Sequence, residues 1–252
     1  MAPTPGGARR PAGRSDRAEI VVSAEHAGNR IPARWAATFA GRERLLESHR
    51  GWDPGSLELA QRCAEVLGVR PFVCRTSRLL IDLNRSLDNP EVFSKLARSL
   101  PPRERQLLIE RVYRPHRSAL TGRVERLLER QDRVVHLSWH TFTPVFRGHR
   151  RRNEFAVLFD PERAAEQALA DEIGRRLEEV ELLRRPLRVD QNEPYRGVDD
   201  GLTTSLRQRL GPRYLGIELE LNQRFVRAGG SRWRAIARSV PRLVAEAARA
   251  VS

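Results

Sequence analysis

The chain has 252 residues, 40% hydrophobic and 31% charged. That is enough length and apolar material for one large α/β domain or two small ones, and it excludes a disordered chain. The formal net charge is +14, yet of the 46 basic residues only Lys95 is a lysine. The arginines are scattered beside Glu in helix-like segments such as LLIERVYR, with no aromatic run among them. We therefore read the charge as a solvated surface and not as a nucleic-acid groove. Two cysteines, Cys63 and Cys74, make no disulfide framework and suit a reduced, cytoplasmic protein, and the apolar runs are too short to span a membrane.

Residues 1–17 carry charge, Pro and Gly but no apolar h-region, so they read as a flexible tail and not a secretory signal. AEIVVS (18–23) reads as a strand. It leaves through SAEHAGNRIP (23–32), where a turn needs the Gly, Asn or Pro but has no need of Glu25-His26. GWDPG (51–55) sets Asp53 just before a helix over 54–67 with the stripe Leu59, Cys63, Val66 and Leu67. RPFVCR (70–75) is a second strand, and RLLIDLNR (78–85) turns from apolar to polar. A long helical pattern over 101–130 contains Pro115, which should kink or break it.

VVHLSWH (134–140) and EFAVLFD (154–160) read as strands, and a helix opens after Pro161. LRVDQN (187–192), YLGIELELN (214–222) and a helix near 231–251 complete the series. Alternating strands and helices predict one α/β domain over 18–252, a single sheet with helices on its faces. Ligands in such sheets bind beyond the carboxyl ends of the strands, which is where His26, His140 and Asn192 fall.

Catalytic zinc takes three ligands from His and carboxylate and keeps one position open. His26 is the first candidate. Asp53 is either a carboxylate ligand facing the same crevice or a helix N-cap followed by Pro at the first helical position. His136 and His140 share one face of their strand; His140, at its end, is favoured as a ligand, and His136 as a hydrogen-bonded support. His116 and His149 read as structural or solvated, and His49 as a support for the Asp53 loop. Glu218 and Glu220 share one strand face because they differ by two. Glu220 is preferred as the general base, and Glu218 as a supporting or substrate-binding group; a solvent-facing strand is the plain alternative. Asn84 and Arg85 suit a substrate carboxylate, with Arg78 as a further cation or a surface residue. QNEPYRG (191–197) offers Asn192, Tyr195 and Arg196 to a ligand, or is simply a turn. Arg78 and Arg147 are candidates for steadying an oxyanion.

The blocks SAEHAGNRIP, HRGWDPGS, SRLLIDLNRS, VVHLSWHTFTPV, NEPYRGVDDGLTTSLR and YLGIELELNQ, in this order over roughly residues 18–225, resemble the N-formylglutamate amidohydrolase family. That family is similar to zinc carboxypeptidases and acyl-amino-acid deacylases. The resemblance implies a central mixed, mostly parallel sheet with helices on both faces. It implies one zinc ion at His26, Asp53 and His140, Glu220 as base, Asn84-Arg85 at the substrate, and an N-acyl amino acid as the small-molecule substrate. The deacylases carry their acid three residues after the first histidine, where this chain has Asn29. That departure makes Asp53 the preferred carboxylate ligand and Glu25 the fallback.

Overall fold

The computed structural model describes residues 18–180 and 185–251. The tail expected over residues 1–17 lies outside the described residues. In chain order the elements are β1 (Glu19–Ala24), a 3-10 turn (Ala33–Phe39), α1 (Glu43–Glu47), α2 (Ser56–Leu67), β2 (Phe72–Val73), α3 (Lys95–Arg98) and α4 (Pro102–Leu108). A π turn (Ile109–Tyr113) leads into α5 (Arg114–Leu128), followed by β3 (Val134–Phe142), β4 (Val145–Phe146), β5 (His149–Arg150), β6 (Phe155–Leu158) and α6 (Ala164–Glu178). The chain closes with β7 (Val189–Gln191), α7 (Leu202–Leu210), β8 (Tyr214–Asn222), α8 (Arg224–Ala228) and α9 (Gly230–Ala250).

Six strands form one sheet in the order β2-β1-β3-β8-β6-β7. The first four are mutually parallel, β6 runs antiparallel to β8, and β7 is parallel to β6. The sheet is thus mixed and mostly parallel, as the family resemblance implies. The long strands β3 and β8 lie at its centre and are buried along their whole length.

Strand alternation divides the side chains between two layers. Ile20, Val22, Leu137, Trp139, Ile217 and Leu219 pack with α2, α6 and α9 in the main core. The stripe foreseen on α2 is its contribution: Leu59 and Cys63 are fully buried, with Val66 and Leu67 beside them. Burying each large side chain of this kind stabilises the fold by about 1.5–3 kcal/mol. On the opposite face, Val21, Val134 and Tyr214 pack with Leu120 and Val124 of α5 and Leu202 and Leu206 of α7. A third cluster joins Leu79, Leu80, Ile81 and Leu83 to Trp35, Phe39, Leu108 and Tyr113.

Three expectations are corrected in detail. The strand foreseen at 70–75 is only Phe72–Val73. The apolar run at 79–83, strand-like in its composition, is a loop whose leucines and Ile81 belong to the third cluster. The helical pattern over 101–130 is not broken at Pro115. It passes from α4 to α5 through the π turn, whose wider loop accommodates a proline that has no N–H and whose ring would crowd the preceding turn.

Candidate metal centre and active-site cleft

The site grows from the polar alternate positions of β1, β3 and β8. Ser23 lies beside Ser138, Ser138 beside Glu218, and His140 beside Glu220 in the sheet register. All of these side chains are buried. A polar stripe inside a sheet is costly unless its members are paired with each other or with a cation. At its lower end His136 is fully paired, to the Ser23 hydroxyl at 2.7 Å and the Tyr214 hydroxyl at 2.7 Å. Burial pushes its imidazole down to about 4, so it serves as the neutral support that the sequence suggests.

Beyond the carboxyl ends of the parallel strands, three loops knit together. Backbone bonds run from Asp53 N to His26 O, from Ala27 N to Cys74 O, and from Arg78 N to Gly51 O. Gly51 is required here, because a Cβ would stand 2.1 Å from Leu46 O. The residue that caps α2 is Gly55, at φ +90°, and not Asp53. The Asp53 side chain is therefore released from capping and points into the site.

His26 Nδ1 and His140 Nδ1 approach the same oxygen, Asp53 Oδ2, at 3.2 and 3.0 Å. The ligand atoms of His26, Asp53 and His140 all lie within 4.8 Å of one another, and all three residues are buried. The outer nitrogens are also held: His26 Nε2 meets Asp82 Oδ1 at 2.7 Å, and His140 Nε2 meets Glu25 Oε2 at 3.2 Å. Glu25 thus stands behind His140, opposite the side facing Asp53. Such outer partners fix ring orientation and raise ligand basicity. Asp82 was not singled out in the sequence; its only signal is its place in DLNR. Arg78 binds Asp82 Oδ2 at 2.7 and 3.1 Å and Asp53 Oδ1 at 3.3 Å, tying the two acids together.

The electrostatics follow from this packing. Burial alone would raise Asp53, but His26, His140 and Arg78 hold it far below the usual carboxylate range. Asp82 is likewise held down against burial by Arg78 and His26, and Glu25 by His116 and His140. Burial disfavours the charged form of His140, yet Asp53 and Glu25 outweigh it and raise the imidazole well above its ordinary value. The centre therefore holds ionised acids around two imidazoles, a donor set suited to a divalent cation.

Glu220 behaves differently from its neighbours. One of its oxygens is buried without a hydrogen-bond partner. Burial pushes its carboxyl up to about 8; His140 opposes the rise, and Asp53 and Glu218 add to it. Glu218 is already engaged, accepting from the Thr203 hydroxyl at 2.6 Å and from Asn84 Nδ2 at 3.4 Å. Of the two strand acids, Glu220 is the one left free.

These groups line a cleft of about 470 Å³ that also contains His49, Arg78, Asn84, Arg85, Tyr195 and Arg196. Arg85 donates to Asp200 O at 2.6 Å, and Asp200 in turn binds the Ser86 amide and Asn89. Arg117 and the Tyr113 hydroxyl brace the carbonyls of this loop. Tyr195 accepts from Arg151, whose guanidinium also stacks on Phe142 and Phe146.

Asn192 does not line the cleft. It follows β7, which runs against the parallel strands at the sheet edge, two strands away from β8. Its side chain instead shapes the loop, accepting from the amides of Phe159 and Gly197. Arg147 is likewise outside the cleft lining; it sits at φ +49° in the turn between β4 and β5, over the Phe146 ring. His149 is exposed on β5.

The family model for N-formylglutamate amidohydrolase matches residues 18–227. The chain belongs to the N-formylglutamate amidohydrolase family. Its fold is similar to that of gene product Atu2144 from Agrobacterium tumefaciens, with TM-score 0.72 and 27% identity over 92% of this chain and 91% of that one. It is also similar to the N-formylglutamate amidohydrolase from Ralstonia eutropha JMP134, with TM-score 0.69 and 20% identity over 95% of this chain and 96% of that one. Comparison with curated proteins finds no match. Membership in the N-formylglutamate amidohydrolase family makes the chain an amidohydrolase, and its substrate a small molecule. Among the described residues no helix is long and apolar enough to cross a membrane.

Proposed function

We propose that the chain hydrolyses an N-acyl amino acid, most concretely N-formyl-L-glutamate to L-glutamate and formate, with one zinc ion held by His26, Asp53 and His140. The observation that carries the reading is the buried convergence of two Nδ1 atoms on Asp53, beside a Glu220 oxygen that has no partner. Zinc at such a set supplies a Lewis acid and lowers the pKa of a water toward about 7.

Glu220 accepts the proton of the attacking water on its free oxygen and returns it to the leaving amine. A carboxyl pushed up to about 8 by burial falls toward neutrality beside a cation, the range in which a general base and acid works best. Arg85, with Asn84 beside it, anchors a substrate carboxylate and so orients the scissile amide. Arg78 holds Asp53 and Asp82 in register.

A second reading keeps this chemistry and enlarges the acyl group. Leu158, Phe142, Phe146 and Tyr195 also line the cleft, an apolar wall that a formyl group does not require. The deciding experiment is a screen of N-formyl and longer N-acyl amino acids against the purified protein, each with chelator and after zinc is restored. Hydrolysis that disappears with chelator and returns with zinc supports the reading, and the preferred acyl group settles its extent. Equal hydrolysis with and without chelator, or none with any acyl amino acid, contradicts it.

A further inference from the structure

Behind His140, away from the cleft, two buried polar atoms face each other without a hydrogen bond. They are Glu25 Oε1 and His116 Nε2, 3.7 Å apart and both lacking a partner. The Glu25 side chain is fully enclosed and that of His116 is 9% exposed. Glu25 Oε2 is already in use, by the Ser138 hydroxyl at 2.6 Å and by His140 Nε2 at 3.2 Å. Native interiors rarely leave such atoms unpaired, and each exception calls for an explanation.

The fold delivers His116 to this place. Residues 116, 120, 124 and 127 form one stripe of α5, and Leu120, Val124 and Leu127 pack under the sheet. His116 begins that stripe, one residue after Pro115 and directly after the π turn. A π turn adds a residue to the helical turn and so resets the face on which all later residues lie. His136, the other histidine of the polar stripe, has both nitrogens engaged. His116 is thus the imidazole that faces Oε1.

We infer that His116 is a positioning residue for the metal centre. It donates its Nε2–H to Glu25 Oε1, which fixes Glu25 as the acceptor for His140 Nε2–H and so presents His140 Nδ1 to the cation. This inference rests on the metal site of the proposed function. The 3.7 Å separation needs a shift of about 0.5–1 Å to reach hydrogen-bond distance, within the reach of a small rotation of either side chain.

The test uses the full chain with zinc or cobalt(II) alone as the probe. Zinc affinity is measured by competition with a chromophoric chelator, and the visible bands of the cobalt-loaded protein report on the ligand field. The variants are His116→Leu, which fills space without a donor, and His116→Gln, which restores an N–H; His116→Ala replaces the Leu variant if that one does not fold. The expected result is zinc binding weakened about tenfold with shifted cobalt bands in His116→Leu, and substantial recovery of both in His116→Gln. Wild-type affinity and bands in a folded His116→Leu, or equal losses in the Leu and Gln variants, would overturn the role of His116 while leaving the metal site standing. A wild-type protein that takes up neither ion would overturn the metal site itself, and this inference with it.

Discussion

His26 and His140 turn the same ring nitrogen, Nδ1, toward one oxygen of Asp53, and turn Nε2 toward two different buried acids, Asp82 and Glu25. The tautomer of each ring is thereby set from behind, and Asp53 becomes the hinge of the centre. Asp53→Asn keeps the shape but removes the charge that draws both rings and Arg78 together. Zinc content in this variant should fall from about one per chain to a small fraction, measured by elemental analysis after dialysis.

Metal binding should be linked to pH through His140. Its imidazole is raised in the metal-free protein by Asp53 and Glu25 against the opposing effect of burial, and a cation needs Nδ1 unprotonated. Binding near neutrality should therefore release one proton from His140 and up to one more from Glu220, whose carboxyl is pushed up to about 8 without the cation, and should weaken as pH falls. Calorimetry in buffers of different ionisation enthalpy checks the proton count.

The same shifts fix the sign of stability against pH. His140, raised above its unfolded value of about 6.5, stabilises the metal-free protein fully below that pH and loses its contribution as pH rises through the folded value. Asp53, Asp82 and Glu25, all depressed, contribute above about pH 4 and lose their contributions as pH falls through their folded values. Melting temperature without metal should peak at about pH 5–6, and its decline above neutrality should be reduced by zinc.

Glu220→Gln removes the free carboxylate but none of the three side chains proposed as metal ligands. It should retain zinc and lose about 10²–10⁴-fold in kcat. Arg85→Lys keeps the charge and loses the planar fork. It should raise KM about tenfold, with a smaller change in kcat. Steady-state kinetics on the best acyl amino acid separates the two effects.

Glu166 and Arg207 form a buried ion pair away from the cleft. Arg207 Nε lies 3.0 Å from both Glu166 oxygens, in a nearly water-free setting, and its other nitrogens bind Gly197 O and Gly216 O. This pair anchors α7 against α6 and β8. Glu166→Ala strands a buried guanidinium and should cost about 3–5 kcal/mol in urea unfolding.

Much of this was legible in the sequence because strand alternation is strict. In YLGIELELN and VVHLSWH one alternate set (Val135, Leu137, Trp139, Leu215, Ile217, Leu219 and Leu221) lies in the main core, which leaves Glu218, Glu220, His136, Ser138 and His140 on the other face. His26 and His140 converge because β1 and β3 are parallel and bring their carboxyl ends together, and Asp53 joins them from the loop before α2. What failed depended on contacts between distant segments. Asn192 follows an edge strand that runs against β8, and period-2 patterning says nothing of strand order or direction. The run at 79–83 is apolar because it lies under Trp35 and Tyr113, which mimics a strand. Asp82, Glu25 and His116 stand behind the site, and only their positions in space reveal it.

The most direct measurement is anomalous diffraction at the zinc edge from crystals of the zinc-loaded protein. The account predicts one peak at about 2.0–2.2 Å from Nδ1 of His26, Nδ1 of His140 and a carboxylate oxygen of Asp53. Zinc bound elsewhere with this centre empty, or active crystals with no zinc at all, would contradict it.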